Sequence, residues 1–127
     1  MDRPGDVTGR LDVREQSGRR PGTVVLALSG ELDHDTAGPL RDALAAHGTD
    51  GERIVVDCSG LGFCDSTGLN VLLRARLRLT RNGGRLDIAG LRPPVDRMFE
   101  ITGARSVFRV YETAASALAD TPAPEES

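Results

Sequence analysis

The sequence predicts a single α/β domain, with a mixed, mostly parallel sheet of about five strands and helices packed largely on one face. Three observations predict it. The 127 residues suffice for one core and suggest one domain. Apolar, strand-like segments alternate with amphipathic helical segments, and this order places successive strands parallel through right-handed crossovers. The first two strands are joined by a short turn, so one edge of the sheet should be antiparallel.

The first half of the chain supplies a strand hairpin and a helix. Side chains alternate between polar and apolar over residues 10–15, SGRRPG at 17–22 supplies a turn, and residues 23–29 form the second strand. Helical spacing then runs over residues 33–47 and ends at Gly48.

The second half continues the alternation in shorter segments. We expect strands at 53–57, 85–89 and 106–110, and helices at 66–82, from Pro93 onward and at 113–119. The first of these strands is an apolar run between polar residues, which is typical of a buried strand. The helix that follows it is rich in leucine on one side, and we interpret Arg74, Arg78 and Arg81 on its other side as a solvated face.

Charge and composition exclude several classes of protein. All 16 basic residues are Arg, and the absence of Lys excludes a phosphate-binding loop of the Walker type and Schiff-base chemistry. A net charge of −3 and 3% aromatic residues argue against a direct nucleic-acid partner. The apolar run at 24–28 is too short to span a bilayer, and the first residues lack the apolar stretch of a secretory signal. We therefore expect a cytoplasmic protein without a membrane partner.

The cysteines and histidines do not form a recognisable ligand set. Cys58 and Cys64 lack the spacing of a paired metal motif, and His34 and His47 are the only histidines. Both cysteines are expected to be buried, unreactive thiols in a reducing compartment. No metal ion and no cofactor is expected.

The loops that leave the second and third strands carry the candidate site. Asp33 and His34 follow the second strand, and Asp65 and Ser66 lie between the third strand and its helix. In a parallel sheet, all loops from strand to helix leave at the same edge. These four residues should therefore share one rim, provided that the two strands are neighbours.

Three chemical interpretations of this rim are possible. In the first, Ser66 and Asp33 are helix caps that accept hydrogen bonds from first-turn amides. In the second, Ser66 is the nucleophile of a small hydrolase, with His34 as base and Asp33 as its orienting acid. Cys64 stands where the nucleophile motif G-x-S-x-G requires Gly, which argues against the hydrolase.

The third interpretation is regulatory phosphorylation of the rim. A phosphoacceptor aspartate at Asp57 is excluded, because receiver domains need a Lys on a later strand and this chain has none. A phosphate on Ser66 would lie at a helix N-terminus, where the helix dipole and free amides favour an anion. The domain should therefore stay folded when Ser66 is modified.

Three segments together resemble the bacterial anti-sigma-factor antagonists, which are single STAS domains. They occur in the family's order and are SGELDHDTAGPLRDAL at 29–44, VVDCSGLGFCDSTGLNVLL at 55–73 and NGGRLDIAGLRPPVDRMFEITG at 82–103. The resemblance implies a STAS domain over residues 10–119, with the helices and mixed sheet of that fold. Residues 1–9 and 120–127 are polar or rich in Pro and are expected to be disordered tails.

The resemblance also implies roles for single residues. Ser66 corresponds to the phosphorylated hydroxyl, which is the first one after the Asp of the D-S-[ST]-G motif, and Thr67 stands where the family has Ser or Thr. Asp33 corresponds to the Asp of G-E-L-D, which lies near the phosphorylation site. We place Asp33, His34, Asp65 and Thr67 together as neighbours of the phosphorylation site or contacts of the partner.

The implied function is partner switching in the control of transcription. The partner would have a histidine-kinase-like ATPase fold and act as both anti-sigma factor and serine kinase, and its capture would release a sigma factor. Phosphorylation of Ser66 would break the complex, and a serine phosphatase would restore it, in sporulation or a stress response. The chain itself would not be an enzyme. The alternative function is a stress-signalling scaffold in which Ser66 tunes assembly, and the small Ser hydrolase ranks third.

Overall fold

A computed structural model of the protein describes residues 10–17, 21–48 and 51–120. The described residues form five strands, four α-helices and a short 3-10 helix at Ala104–Ser106. The strands are β1 Leu11–Ser17, β2 Thr23–Leu32, β3 Arg53–Cys64, β4 Arg85–Ala89 and β5 Val110–Tyr111. The α-helices are α1 Ala37–Ala45, α2 Ser66–Arg81, α3 Pro93–Thr102 and α4 Ala114–Ala119.

All five strands belong to one sheet, in the order β1-β2-β3-β4-β5. The β1–β2 pair is antiparallel, and the other three pairs are parallel. This confirms the predicted mixed sheet with one antiparallel edge. Among the described residues, no helix has both the length and the apolar character that crossing a bilayer requires.

The main core lies between one face of the sheet and helices α1, α2 and α3. Leu40 of α1, Leu72 of α2 and Phe99 of α3 are all completely or almost completely buried there. Successive residues of a strand point to opposite faces, so Leu26 and Val56 face this core while their neighbours face the other side. Three of the four described helices thus share one face, as predicted.

Helix α4 covers part of the opposite face. Ala117 packs with Val25, Val55 and Ala89 in a second, small apolar cluster. A six-residue helix has little intrinsic stability, so α4 depends on this contact with the sheet and on the capping box that Thr113 and Ser116 form at its start.

A buried ion pair beneath α4 strengthens that attachment. Asp87 is only 1% exposed, and its carboxylate lies 2.8 Å from Arg53 Nη2 and 3.1 Å from Arg85 Nη2. Arg53 Nη2 also donates to the carbonyl of Ala117 at 3.0 Å. That carbonyl lies in the last turn of α4, where helix carbonyls lack intrahelical partners. Arg53 therefore joins α4 to the charge buried in the sheet.

Strands β2 and β3 extend beyond their predicted ends. The sequence placed the end of β3 at Asp57, but the strand continues to Cys64. Residues 29–32 of β2 pair with residues 60–64 of β3, with one register shift just before this stretch and a second between Gly30 and Glu31. Backbone pairing does not depend on alternating side chains, so this Gly- and Ser-containing extension looked like a loop in the sequence.

Other element boundaries also differ from the prediction. Helix α1 begins at Ala37 and not at residue 33, because the intervening residues form a turn. Strand β5 is displaced to Val110–Tyr111, since Ala104–Ser106 forms a 3-10 helix. By contrast, α2 agrees with its prediction to one residue and β4 agrees at both ends.

Some predictions fall partly outside the described residues. These are the turn at 17–22, of which 18–20 are not described, and the tails, of which only Asp120 is described. Asp120 accepts a hydrogen bond from the Tyr111 hydroxyl at 2.8 Å.

Both cysteines are buried and free, as predicted. Burial raises the pKa of the Cys64 thiol to about 12 and raises that of Cys58 further above its usual value. Neither thiol is therefore nucleophilic at neutral pH.

Asp87→Ala should destabilise the fold by about 3–5 kcal/mol, because it leaves the largely buried Arg53 without a counter-charge. Urea denaturation measures the free energy of unfolding. Asp96→Ala is the matched control, since its pair with Arg105 at 2.6 Å is solvent-accessible and should contribute less than ~1 kcal/mol. Equal losses for the two variants would contradict the structural role of Asp87.

Candidate functional site

The candidate site lies where β2 and β3 end side by side. Leu32 and Cys64 are register partners at the carboxyl ends of these parallel strands. The amide of Asp65 donates to the carbonyl of Leu32 at 3.1 Å. The two strands are therefore neighbours, as the predicted site required, and the segments that follow them begin in contact. We call Asp33, His34, Asp65, Ser66 and Thr67 the rim.

The Asp65 carboxylate connects the two segments of the rim. Its Oδ1 atom accepts a hydrogen bond from the Gly68 amide at 2.9 Å, and its Oδ2 atom accepts one from the His34 amide at 3.3 Å. Asp65 has an extended backbone and is the N-cap of α2. One side chain thus begins the helix and holds the loop between β2 and α1 beside it.

The prediction that Ser66 caps α2 is wrong. Asp65 occupies the N-cap, and Ser66 is the first residue of the helix. The Ser66 side chain is exposed and makes no hydrogen bond to any residue that the structure describes. Its hydroxyl is therefore available to solvent and to a partner.

Asp33 also has a different role from the predicted helix cap. Its Oδ1 atom accepts hydrogen bonds from the amides of Asp35 at 2.9 Å and Thr36 at 3.0 Å. In return, Thr36 Oγ1 accepts from the Asp33 amide at 2.9 Å. Thr36, not Asp33, is the N-cap of α1, so Asp33 stabilises the turn before the helix.

The hydrolase arrangement does not form. His34 Nε2 lies 3.2 Å from Asp35 Oδ1, and both side chains are largely exposed. The Asp33 carboxylate is engaged by backbone amides, and it makes no hydrogen bond to the His34 ring among the described contacts. The structure brings Asp33, His34 and Ser66 to one rim but does not align them as a nucleophile, a base and an orienting acid.

Close packing around Gly68 explains why the D-S-T-G motif ends in glycine. A Cβ atom at this position would lie 2.5 Å from Leu32 Cγ and 3.2 Å from Cys64 Sγ. The first turn of α2 therefore packs directly on the ends of both strands, and only the absence of a side chain permits this contact. The close approach places Ser66 and Thr67 at the edge of the sheet.

Sequence reasoning missed two features, one beside the rim and one towards the C-terminal end of α2. Phe63 is 47% exposed and lies near the end of β3, in a segment that was predicted to be a loop. Arg78 is not part of a solvated face, because its guanidinium donates to the carbonyls of His47 at 3.1 Å and Leu44 at 2.6 Å. The available signal was that Arg78 lies on the same face of α2 as Thr67, but its partners, at the end of α1 and just after it, are distant in sequence.

Comparison with known proteins places this arrangement in a family. The profile described as "Mlab, STAS domain" matches residues 15–109, which is most of the chain. The chain therefore belongs to the STAS-domain family, and the resemblance seen in its motifs is confirmed.

Similar proteins within this family are anti-sigma-factor antagonists. The chain is 32% identical to the anti-sigma F factor antagonist of Paenibacillus polymyxa over 101 residues, which are 78% of this chain and 86% of the relative. The crystal structure of an anti-sigma factor antagonist from Mycobacterium paratuberculosis matches with a TM-score of 0.75 and 28% identity, over 86% of this chain and 92% of that chain.

A second similar structure is that of the Bacillus cell fate determinant SpoIIAA in its phosphorylated form. It matches with a TM-score of 0.65 and 22% identity, over 85% of this chain and 97% of that chain. At this identity the likeness shows the shared fold.

Gly68→Ala should destabilise the protein by about 1–3 kcal/mol, because the added methyl group collides with Leu32. Helix propensity alone predicts the opposite sign, a gain of roughly 1 kcal/mol. Gly38→Ala in α1 is the control, since a Cβ there meets no atom within 4 Å and the change should be neutral or stabilising. Thermal unfolding of both variants measures the difference. Stabilisation by Gly68→Ala would contradict the packing described.

Proposed function

We propose that the chain is an anti-sigma-factor antagonist that switches partners through phosphorylation of Ser66. Its unmodified form binds an anti-sigma factor that is also a serine kinase of histidine-kinase-like ATPase fold, and the sigma factor is released. Phosphate on Ser66 ends this binding, and a serine phosphatase restores it. The observation that carries the proposal is the exposed Ser66 hydroxyl at the first position of α2, free of hydrogen bonds to the described residues.

The capping arrangement lets Ser66 be modified without loss of the fold. Because Asp65 caps α2, a phosphate on Ser66 removes no described hydrogen bond of its side chain. The amides of Ser66 and Thr67 also have no acceptor among the described residues, so the helix start can accommodate an anion. Modification therefore changes the surface and leaves the core unchanged.

The charge of the rim explains why phosphorylation would oppose docking. Asp65 caps α2, and Asp33 and Asp35 lie on the loop that Asp65 holds beside it, so three acidic residues belong to this region. Phosphate adds about −1.5 to −2 charges to this surface. A partner that fits the unmodified rim would then bury a dianion beside like charges, which is unfavourable. Phe63 offers an exposed apolar contact to the same partner.

The similar proteins support this proposal in two ways. The Paenibacillus and Mycobacterium proteins are named as anti-sigma factor antagonists, which indicates an anti-sigma factor as the partner. A protein of the same fold has been solved in a phosphorylated form. The proposal is of a non-enzymatic regulator whose chemistry is supplied by its kinase and phosphatase.

Ser66→Ala should abolish phosphate incorporation and keep partner binding, whereas Ser66→Asp should weaken binding by adding charge at the rim. The partner is isolated from native lysate with the unmodified protein and must transfer phosphate from ATP to it. Each variant is titrated against this kinase, and phosphate is mapped by mass spectrometry.

Ser59→Ala is the control for the Ser66 variants, because Ser59 is exposed on β3 and lies outside the rim. It should be phosphorylated and bound like the wild type. Phosphate on Thr67 of the Ser66→Ala variant, or equal affinities of the Ala and Asp variants, would refute the assignment of Ser66.

Asp33→Ala should reduce partner affinity or the phosphorylation rate by roughly tenfold, equivalent to ~1.4 kcal/mol, because the turn beside Ser66 loses two hydrogen bonds. Stability should fall by only about 1 kcal/mol. Asp12→Ala, in an exposed pair with Arg14, serves as the control and should change neither property. Wild-type affinity and rate in Asp33→Ala would place the docking surface elsewhere.

A further inference from the structure

A basic groove runs between α1 and α2, beside the rim. The groove has a volume of about 500 Å³ and combines an apolar floor with three arginines. It is lined by Arg41, Leu44, Ala45, Thr67, Asn70, Val71, Arg74, Ala75 and Arg78. All charged residues of this lining are Arg, in a chain whose net charge is −3. We call this feature the α1–α2 groove.

The three arginines of the groove differ in whether they have hydrogen-bond partners. Arg78 is held by the carbonyls of Leu44 and His47, so it connects the end of α1 to α2. Arg41 and Arg74 are exposed, and neither has a hydrogen bond or ion pair with any residue in the described part of the chain. Two guanidinium groups therefore stand over an apolar floor without a carboxylate to neutralise them.

We infer that the α1–α2 groove binds an acidic segment of the anti-sigma factor, as a second contact in the complex formed at the rim. This inference rests on the proposed function. An acidic segment with apolar side chains would match the two unpaired guanidinium groups by charge and the floor of the groove by polarity. Arg is also the charged residue most enriched at the energetically important positions of protein interfaces.

Thr67 makes the groove continuous with the rim. It is the second residue of α2, directly after Ser66, and it also lines the groove. A partner that covers Ser66 therefore reaches the groove without crossing another element. The resulting surface has an acidic end at Asp33 and Asp65 and a basic end at Arg41 and Arg74, which fixes the orientation of a partner of opposite polarity.

The test reverses the charge of the groove. The double variant Arg41→Glu/Arg74→Glu is titrated calorimetrically against the purified kinase that phosphorylates Ser66, at low and high salt. We expect its affinity to fall at least tenfold at low salt, and the salt dependence of binding to decrease. Thermal unfolding confirms that the variant is folded.

The matched control is Arg81→Glu/Arg97→Glu, which makes the same change of net charge at exposed positions outside the groove. Its affinity should stay within about twofold of the wild type. Cross-linking of the wild-type complex identifies the partner residue that contacts the groove. Reversing the charge of that residue should restore binding of the groove variant. This rescue distinguishes a direct contact from a general effect of charge.

Several results would overturn the inference. Equal affinities of the groove and control variants exclude an acidic partner in the groove, while the Ser66 result decides the proposed function separately. A groove variant that alters self-association of the chain but not kinase binding would indicate a second copy as the occupant. If no protein transfers phosphate to Ser66, both the proposed function and this inference fail.

Discussion

The Asp65 carboxylate is the group on which the geometry of the site depends. One oxygen caps α2 through the Gly68 amide, and the other holds the His34 amide of the neighbouring loop. A negative charge is favourable at a helix N-terminus, so the cap and the helix dipole act together. The pairing of Leu32 with Cys64 brings the two loops within reach of this single side chain. Without it, the helix start and the adjacent loop would lose their common anchor.

Because Asp65 performs the capping, Ser66 has no described structural role for its hydroxyl. In a serine that capped its own helix, phosphorylation would replace the hydrogen bond of the hydroxyl with contacts of the phosphate, so modification would rearrange the helix start. Here the atom proposed to be modified and the atom that stabilises the helix belong to adjacent residues. In the proposed switch, folding and regulation are thereby separated by one position in the chain. Gly68 contributes to this separation, since its missing side chain lets the first turn of α2 lie against the strands.

Some charged groups of the molecule stabilise its internal packing. Arg53 and Asp87 form a buried ion pair, through which Arg53 bonds α4 to the sheet, and Arg78 bonds the end of α1 to α2. Arg41 and Arg74 are exposed and form no hydrogen bond or ion pair with the described residues. In the binding that we infer for the groove, a chain with 16 arginines and no lysine uses the same residue type for internal structure and for recognition. Planar guanidinium groups suit both tasks, because they can bind several oxygens in a fixed geometry.

The sequence by itself determined the order of the elements, the mixed sheet and the positions of α2 and β4, because hydrophobic periodicity and helix end signals act over a few residues. It also brought the rim residues together, through the rule that strand-to-helix loops share one edge. Only the tertiary structure decided that β3 continues to Cys64, since that extension is held by backbone pairing with β2. Likewise, the choice of Asp65 over Ser66 as the cap follows from where the strand stops. The groove depends on how α1 packs against α2, which joins residues about thirty positions apart and leaves no local pattern to read.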